Sequence, residues 1–281
     1  MTAPFLFSVD LEDVRHRIPD GDRYRPRVAA MTGLYLDFLR RNDATGTFFV
    51  VGDVARAEPD LVRRIAGEGH EIACHSDSHV PLDRQDERSF REDVERNLEA
   101  LAAAGAKAVR GYRAPCFSLT ARTRWAYGVL AGLGIEYSSS VLPARNPLHG
   151  CPEFGTRPRM MDGIVELPMT LLPWRLLPVP VGGGVYFRTV PRFLLRRALR
   201  RRRERGEAVL GYFHPYDVDG EQEEFAHPGF RRGGLFDRLM RVNRTGTFAR
   251  LEEVKRLGFS FGPYGEHAER IRSELQVVDP P

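Results

Sequence analysis

The hydrophobic and polar positions of the chain alternate between short apolar runs and amphipathic stretches. Phe5-Leu6-Phe7-Ser8-Val9 reads as a buried strand that ends in the acidic Asp10-Leu11-Glu12-Asp13. From Val28 to Arg41, the residues Val28, Met31, Leu34, Tyr35, Phe38 and Leu39 recur at helical spacing. Thr47 to Val51 predicts a second buried strand, stopped by Gly52, and Asp60 to Glu68 a short helix. A third strand follows Gly69 and runs through Ile72-Ala73-Cys74 into His75 and His79. Glu87 to Ala104 places Phe90, Val94, Leu98 and Leu101 on one helical face, with Gly105 closing it. Ala108 to Tyr112 leads as a strand to Arg113, and Thr120 caps a helix predicted over 121–132. Strands follow at Ile135-Glu136-Tyr137, ending in Ser138-Ser139-Ser140, and at Ile164 to Leu167. Arg192 to Arg205 is a basic helix, Ala208 to Phe213 the last clear strand, and Phe248 to Leu257 the closing helix.

This alternation predicts an α/β fold built as a parallel β/α barrel rather than as separate layers. Seven candidate strands make it a distorted (β/α) barrel of about seven strands, short of the eight of the regular form. Its 281 residues suit one such barrel. The whole of 1–281 therefore reads as a single domain, with irregular loop regions around 143–190 and 215–247. Asp10, His75, Arg113 and His214 each follow an apolar strand directly. In a β/α barrel those strand ends converge on one face, where sites are built.

Composition narrows the setting. The net charge of +4 is mild and carried almost wholly by arginine, Lys107 and Lys255 being the only lysines. No basic patch is interleaved with aromatics, so no nucleic-acid partner is expected. The three cysteines, Cys74, Cys116 and Cys151, are odd in number and lack CxxC spacing, which fits reduced thiols. Met1 to Val9 has no basic start or long apolar core, and no run approaches the roughly 18 apolar residues of a membrane span. The expected location is the cytoplasm.

His75 and His79, four apart, share one face if the backbone turns helically there, and can present both imidazoles to one metal ion. Two imidazoles, one carboxylate and an open position for water make a hydrolytic centre. The acidic cluster after the first strand supplies that carboxylate with one to spare, and the spare one can take a proton from an attacking water. Arg113 would pair with this base, and His214 would protonate a leaving nitrogen from the opposite side. Each residue also has an ordinary explanation: a surface pair for the histidines, an ion pair for Arg113, a satisfied core histidine for His214, a helix cap for Asp10.

Four stretches carry a family resemblance: Ser8-Val9-Asp10-Leu11-Glu12-Asp13, His75-Ser76-Asp77-Ser78-His79, Arg113-Ala114-Pro115-Cys116-Phe117 and Phe213-His214-Pro215. Over roughly residues 5 to 260 the chain resembles the metal-dependent polysaccharide deacetylases, the chitin and peptidoglycan deacetylase group of carbohydrate esterases. Gly111-Tyr112-Arg113, Tyr137-Ser138-Ser139-Ser140, Gly182-Gly183-Gly184-Val185-Tyr186-Phe187-Arg188 and His214-Pro215-Tyr216-Asp217 are similar to the subgroup that accompanies bacterial exopolysaccharide gene clusters. The resemblance implies one divalent metal ion, most often Zn2+, held by His75 and His79. It implies Asp10 as base, Arg113 as the arginine that orients it, the Cys116 backbone N–H as an oxyanion donor, and His214 as acid. Two departures stand out. Relatives often have adjacent aspartates where this chain has Asp10, Glu12 and Asp13. Glu12 shares a face with Asp10 if the strand continues, so it is the preferred third ligand, with Asp13 the alternative. Ser138 stands where the subgroup usually has aspartate, which would weaken activity if that aspartate tunes the acid histidine.

The implied function is removal of an N-acyl group, usually acetyl, from an amino sugar. The alternative is a non-catalytic carbohydrate-binding protein that keeps the pocket. Leu167 to Val181 is apolar and proline-rich, either a loop packed over the barrel or an apolar lip for a lipid-linked substrate. The seven arginines from Arg196 to Arg205 form a solvated face or a contact for pyrophosphate or anionic headgroups. Together they suggest a nucleotide- or lipid-linked sugar and peripheral contact with the inner membrane surface. Glu221 to Gly234 reads as a mobile polar loop.

Overall fold

The computed structural model describes residues 3–146, 149–172, 179–225 and 234–278. The first apolar run forms β1 (Ala3–Leu6) and β2 (Ser8–Leu11), parted only at Phe7. There follow β3 (Thr47–Val50), β4 (Glu71–Cys74), β5 (Gly111–Tyr112), β6 (Tyr137–Ser138), β7 (Arg159–Met161), β8 (Ile164–Glu166), β9 (Val209–Leu210) and β10 (Phe259–Gly262). One sheet has the order β2-β3-β4-β5-β6-β8-β7, parallel throughout except for the edge strand β7. A second, parallel sheet has the order β10-β1-β9.

The β1–β2 run joins the two sheets. The Asp10 N–H donates to the Phe213 carbonyl at 2.7 Å and Val9 bridges Phe213, so the chain beyond β9 continues up beside β2. The seven expected parallel runs therefore curl round one axis, with β10 an eighth beside β1, and the fold is the distorted β/α barrel expected. The expected strand over 108–112 narrows to Gly111–Tyr112, and the helix over 121–132 begins as a 3₁₀ turn before Ala126–Gly132.

Aromatic rings fill the layer between the strands and the outer helices. Phe7 stacks on Phe213 at 5.4 Å and meets Tyr35, Phe38 and Phe261. On the inward side of the strands Leu6, Phe49, Ala73, Val165, Tyr212 and Tyr264 form a second buried cluster beneath Asp10 and Arg113.

The barrel has a seam. Among the described residues no ladder joins β8 to β9; a strap covers the gap. The Leu210 N–H donates to Thr170 Oγ1 at 3.0 Å, the Val181 N–H to the Thr170 carbonyl at 3.0 Å, and the Gly184 N–H to the Tyr212 carbonyl at 2.8 Å. A Cβ at Gly182 would lie 1.8 Å from the Leu210 carbonyl oxygen, and one at Gly183 1.6 Å from that of Tyr212. The glycine triplet is thus read as close backbone approach, and only glycine fits.

Leu167, Met169, Leu171, Leu172 and Val181 are buried, which favours the packed-loop reading for both flanks of the proline-rich stretch. Residues 173–178 at its centre, and 226–233 of the polar loop, lie outside the described residues. The sequence reading closes at Leu257, and two elements lie beyond it: β10, and the helix Tyr264–Val278. In that helix Tyr264, Ala268 and Ile271 recur at helical spacing and pack against one buried cluster, a stripe that a reading ending at Leu257 stops short of.

Candidate active site

Asp10 sits at the top of β2, almost fully buried. Its Oδ1 pairs with Arg113 Nη1 at 2.5 Å. Arg113 follows β5 and has no exposed surface. Its Nη1 also donates to Ser8 Oγ at 2.7 Å and its Nε to the Ser139 carbonyl at 3.1 Å. The guanidinium carbon lies 3.9 Å above the Phe49 ring. Burial alone would lower the Arg113 pKa; Asp10 outweighs it and raises it. One arginine therefore ties the ends of β2, β5 and β6 together around a single carboxylate.

The histidine loop is not helical. Ser76 and His79 both take left-handed backbone, with φ of 67° and 57°. The expectation that a helical turn aligns His75 and His79 is corrected: two left-handed residues fold the loop back and bring the rings to 5.0 Å. Such backbone is uncommon outside glycine and persists where surroundings fix it. The helix Glu87–Ala103 does the fixing. Asp93 accepts the N–H groups of Asp77 (3.0 Å) and Ser78 (3.3 Å), and Asn97 Nδ2 donates to the carbonyls of Ser76 (2.7 Å) and Val50 (3.0 Å). Both are buried polar residues on the apolar face of that helix. Their presence in a hydrophobic stripe is the signal that reading the periodicity alone passes over.

His75 donates from Nδ1 to the Arg113 carbonyl at 2.8 Å, which leaves the Nε2 lone pair for a ligand. Burial holds its pKa down to about 4, so the ring is neutral at pH 7, as a metal ligand must be. His79 Nε2 meets Glu12 Oε2 at 3.0 Å. Burial would raise the Glu12 pKa, but His79 and the other histidines outweigh it and keep the carboxyl ionised. Asp13 is turned elsewhere. It caps the 3₁₀ turn Val14–Arg17, accepts the Arg15 N–H at 3.0 Å and pairs with the Arg15 guanidinium at 2.6 Å. Of the two candidates for third ligand, Asp13 is paired with Arg15 and Glu12 with His79. Glu12, His75 and His79 are donors of the types a divalent cation takes, although among the described residues no three His, Cys, Asp or Glu side chains are gathered into a formed metal cluster.

From the other side comes His214, after the run that continues β9. Its Nε2 lies 3.9 Å from Asp10 Oδ2 and 3.8 Å from Glu12 Oε1. Its Nδ1 donates to Asp217 Oδ2 at 3.0 Å, and its backbone N–H reaches the same oxygen at 2.9 Å. Burial would lower the His214 pKa; the Asp217 carboxylate, with Glu12 and Asp10 beyond it, outweighs burial and raises it to about 9. The ring is therefore an imidazolium at neutral pH. Tyr216 stacks on it at 4.5 Å. Behind Asp217 lies Arg188, equally buried, at 2.9 Å.

Asp217 and Arg188 are residues the sequence reading quoted without assigning them a part. The available signal was His214-x-x-Asp217, the spacing of one tight turn. Asp217 also changes the meaning of Ser138. Ser138 Oγ donates to Ser140 Oγ at 2.7 Å, within a buried cluster where Glu166 accepts the N–H groups of Ser140 and Val141 at 2.8 and 3.0 Å. The carboxylate beside the histidine ring is supplied three residues on, not at position 138. Cys116 and Phe117 take left-handed backbone, φ 56° and 54°, in a tight turn after Pro115. The Cys116 side chain is exposed and within electrostatic reach of Glu12 and Asp10.

Residues 20–135 match the family model for polysaccharide deacetylase, and residues 139–264 match a domain of unknown function. A chitooligosaccharide deacetylase of Rhizobium leguminosarum bv. trifolii is 38% identical over 73 residues, 26% of this chain and 34% of the relative. A peptidoglycan-N-acetylglucosamine deacetylase of Bacillus cereus is 35% identical over 80 residues, 28% of this chain and 29% of the relative. These matches span about a third of the length of the curated relatives. In fold, the chain is similar to a Mycobacterium smegmatis protein assigned to the polysaccharide deacetylases, with a TM-score of 0.60 at 22% identity over 97% of this chain and 94% of the other. It is also similar to a family 4 carbohydrate esterase of Streptomyces lividans, with a TM-score of 0.50 at 16% identity over 93% of each.

Proposed function

We propose, from the match of residues 20–135 to the polysaccharide deacetylase model, that the chain is a metal-dependent hydrolase acting on an acylated amino sugar. It removes the N-acyl group, acetyl first, in bacterial cell-surface glycan synthesis. The observation that carries this is one pocket in which the His214 imidazolium faces the carboxylates of Asp10 and Glu12 at 3.9 and 3.8 Å. An acid and a base on opposite sides of a small gap suit addition of water to an amide and departure of its nitrogen.

Glu12, His75 and His79 would hold the divalent ion, Zn2+ being suited to imidazole and carboxylate donors, and when bound it would supply a Lewis acid for the amide carbonyl. The residues do the rest. Asp10 accepts a proton from the attacking water as the new C–O bond forms. Arg113 fixes that carboxylate from behind, so that Oδ2 faces the pocket. The Cys116 N–H donates to the carbonyl oxygen as charge gathers on it. His214 gives its Nε2 proton to the nitrogen as the C–N bond breaks, leaving a free amine and a carboxylate.

The substrate in this reading is a nucleotide- or lipid-linked sugar met in the cytoplasm. The exposed side of the helix Arg192–Glu204 supports it: Phe193 is 69% exposed among arginines. That surface suits phosphate groups and the inner membrane surface. No helix among the described residues is long and apolar enough to cross a membrane.

The test is acetate release from acylated amino sugars by the metal-loaded protein. Turnover is expected, and Asp10→Asn should abolish it while metal content stays intact. Sugar binding without turnover under every divalent metal tried would overturn the hydrolase and leave a carbohydrate-binding protein.

A further inference from the structure

Behind the His214 ring the chain buries a complete ion pair. Arg188 Nε and Nη2 both reach Asp217 Oδ1, at 3.0 and 2.9 Å. That leaves Oδ2 for the His214 backbone N–H and Nδ1. The two carboxylate oxygens are thus divided, one to the arginine and one to the histidine. The remaining guanidinium donors go to the carbonyls of Met240 (3.1 Å) and Val242. The Arg188 carbonyl in turn accepts Asn243 Nδ2 at 2.9 Å, and the Asp217 carbonyl accepts Thr247 Oγ1 at 2.7 Å. Neither partner of the pair is free to rotate.

Arg188 reaches this place because of the strap. Gly182 and Gly183 lie against the β9 backbone where no side chain fits, and the short helix Gly184–Thr189 then points Arg188 beneath the turn Pro215–Asp217. Two fully buried charges are costly to desolvate, and packing alone would be served as well by apolar side chains. The pair lies directly behind the ring that faces Asp10 and Glu12.

We infer that Arg188 is a positioning residue, which fixes the orientation of Asp217 and through it holds the Nδ1 proton and the aim of His214. The glycine strap is the scaffold for that arm. This gives the segment 139–264, which matches a domain of unknown function, a definite contribution: it brings the acid side of the site to the half that holds Arg113 and the histidine loop. The chemistry rests on the hydrolase reading; the geometry does not.

The experiment has two readouts. Proton NMR of the full chain should show a low-field Nδ1–H resonance for His214, identified by its loss in His214→Gln. In Arg188→Met that resonance should vanish, and kcat should fall on the order of 10–100-fold, as when outer partners of a site are removed. KM should hold, and Arg188→Lys should recover part of both signals. An unchanged resonance and kcat in folded Arg188→Met would overturn the inference. If Arg188→Met does not fold, Arg188→Lys decides. It keeps the charge but cannot make the forked contact, so a weakened resonance with lowered kcat supports positioning and wild-type values reject it. Should the wild-type protein show no turnover at all, the hydrolase reading fails, while the resonance still tests the positioning of His214.

Discussion

The two sides of the pocket hold their functional side chains by different physics. The histidine loop after β4 is held through its backbone: Asn97 donates to the Ser76 carbonyl, and the Asp93 carboxylate accepts the N–H groups of Asp77 and Ser78. Its His75 ring stays uncharged, pushed down to about 4 by burial. The His214 side is held by alternating charges, with Arg188, Asp217 and His214 in series, and its ring is pushed up to about 9 by Asp217 over the opposing effect of burial. The same residue type is thus set in opposite protonation states some ångströms apart. A ligand imidazole needs a lone pair and an acid imidazole needs a proton, so environments that force the two apart are what such chemistry requires.

The comparison breaks most severely at the ligand loop. His75→Ala or His79→Ala should cost more than about 100-fold in metal affinity, above the range of outer-partner changes, and activity should fall with it. Metal content after dialysis against a chelator is the measurement; a stoichiometric ion kept by either variant would remove that residue from the centre. A smaller effect is expected at the charged side. The acid form of His214 is complete well below its pKa and is lost as pH rises through about 9. Asp217→Asn removes the group that raises that pKa, so the basic limb of the kcat profile should move to lower pH. A limb that stays in place would mean that another group titrates there. The smallest effect belongs to Ser138→Ala. Its hydroxyl serves the cluster around Glu166, so stability should drop by about 0.5–1.5 kcal/mol in urea titration, with the pH profile unmoved. A shifted profile would return Ser138 to the acid arm.

Much of this was legible in the chain. Seven apolar runs gave seven parallel barrel runs, because a strand buried on both sides must be continuously apolar. Asp10, Arg113, His75 and His214 meet because each follows such a run, and a barrel gathers those ends. What was not legible is the support behind them. Asp93 and Asn97 occupy positions of a helical stripe that periodicity assigns to packing, yet they serve a loop 14 or more residues earlier. Arg188 and Asp217 are 29 residues apart, and their pairing depends on a strap whose path is set by glycines touching β9. Periodicity tells which way a residue faces within its own element. It is silent on which distant element waits there, and so Asp13 and Glu12 look alike in sequence although Arg15 claims one and His79 the other.

The position of the first strand also bears on time. β1 has β9 and β10 as its neighbours, and Ser8 Oγ donates to a carbonyl 203 residues further along the chain. At about 5–20 residues per second of synthesis, that partner emerges on the order of 10–40 s later. Throughout that interval Phe5-Leu6-Phe7 is an apolar segment with an unpaired edge, the kind that associates with other chains. A strand so central to the finished barrel is the one that waits longest for its neighbours, and the yield of folded protein in a cell should depend on what shields it meanwhile.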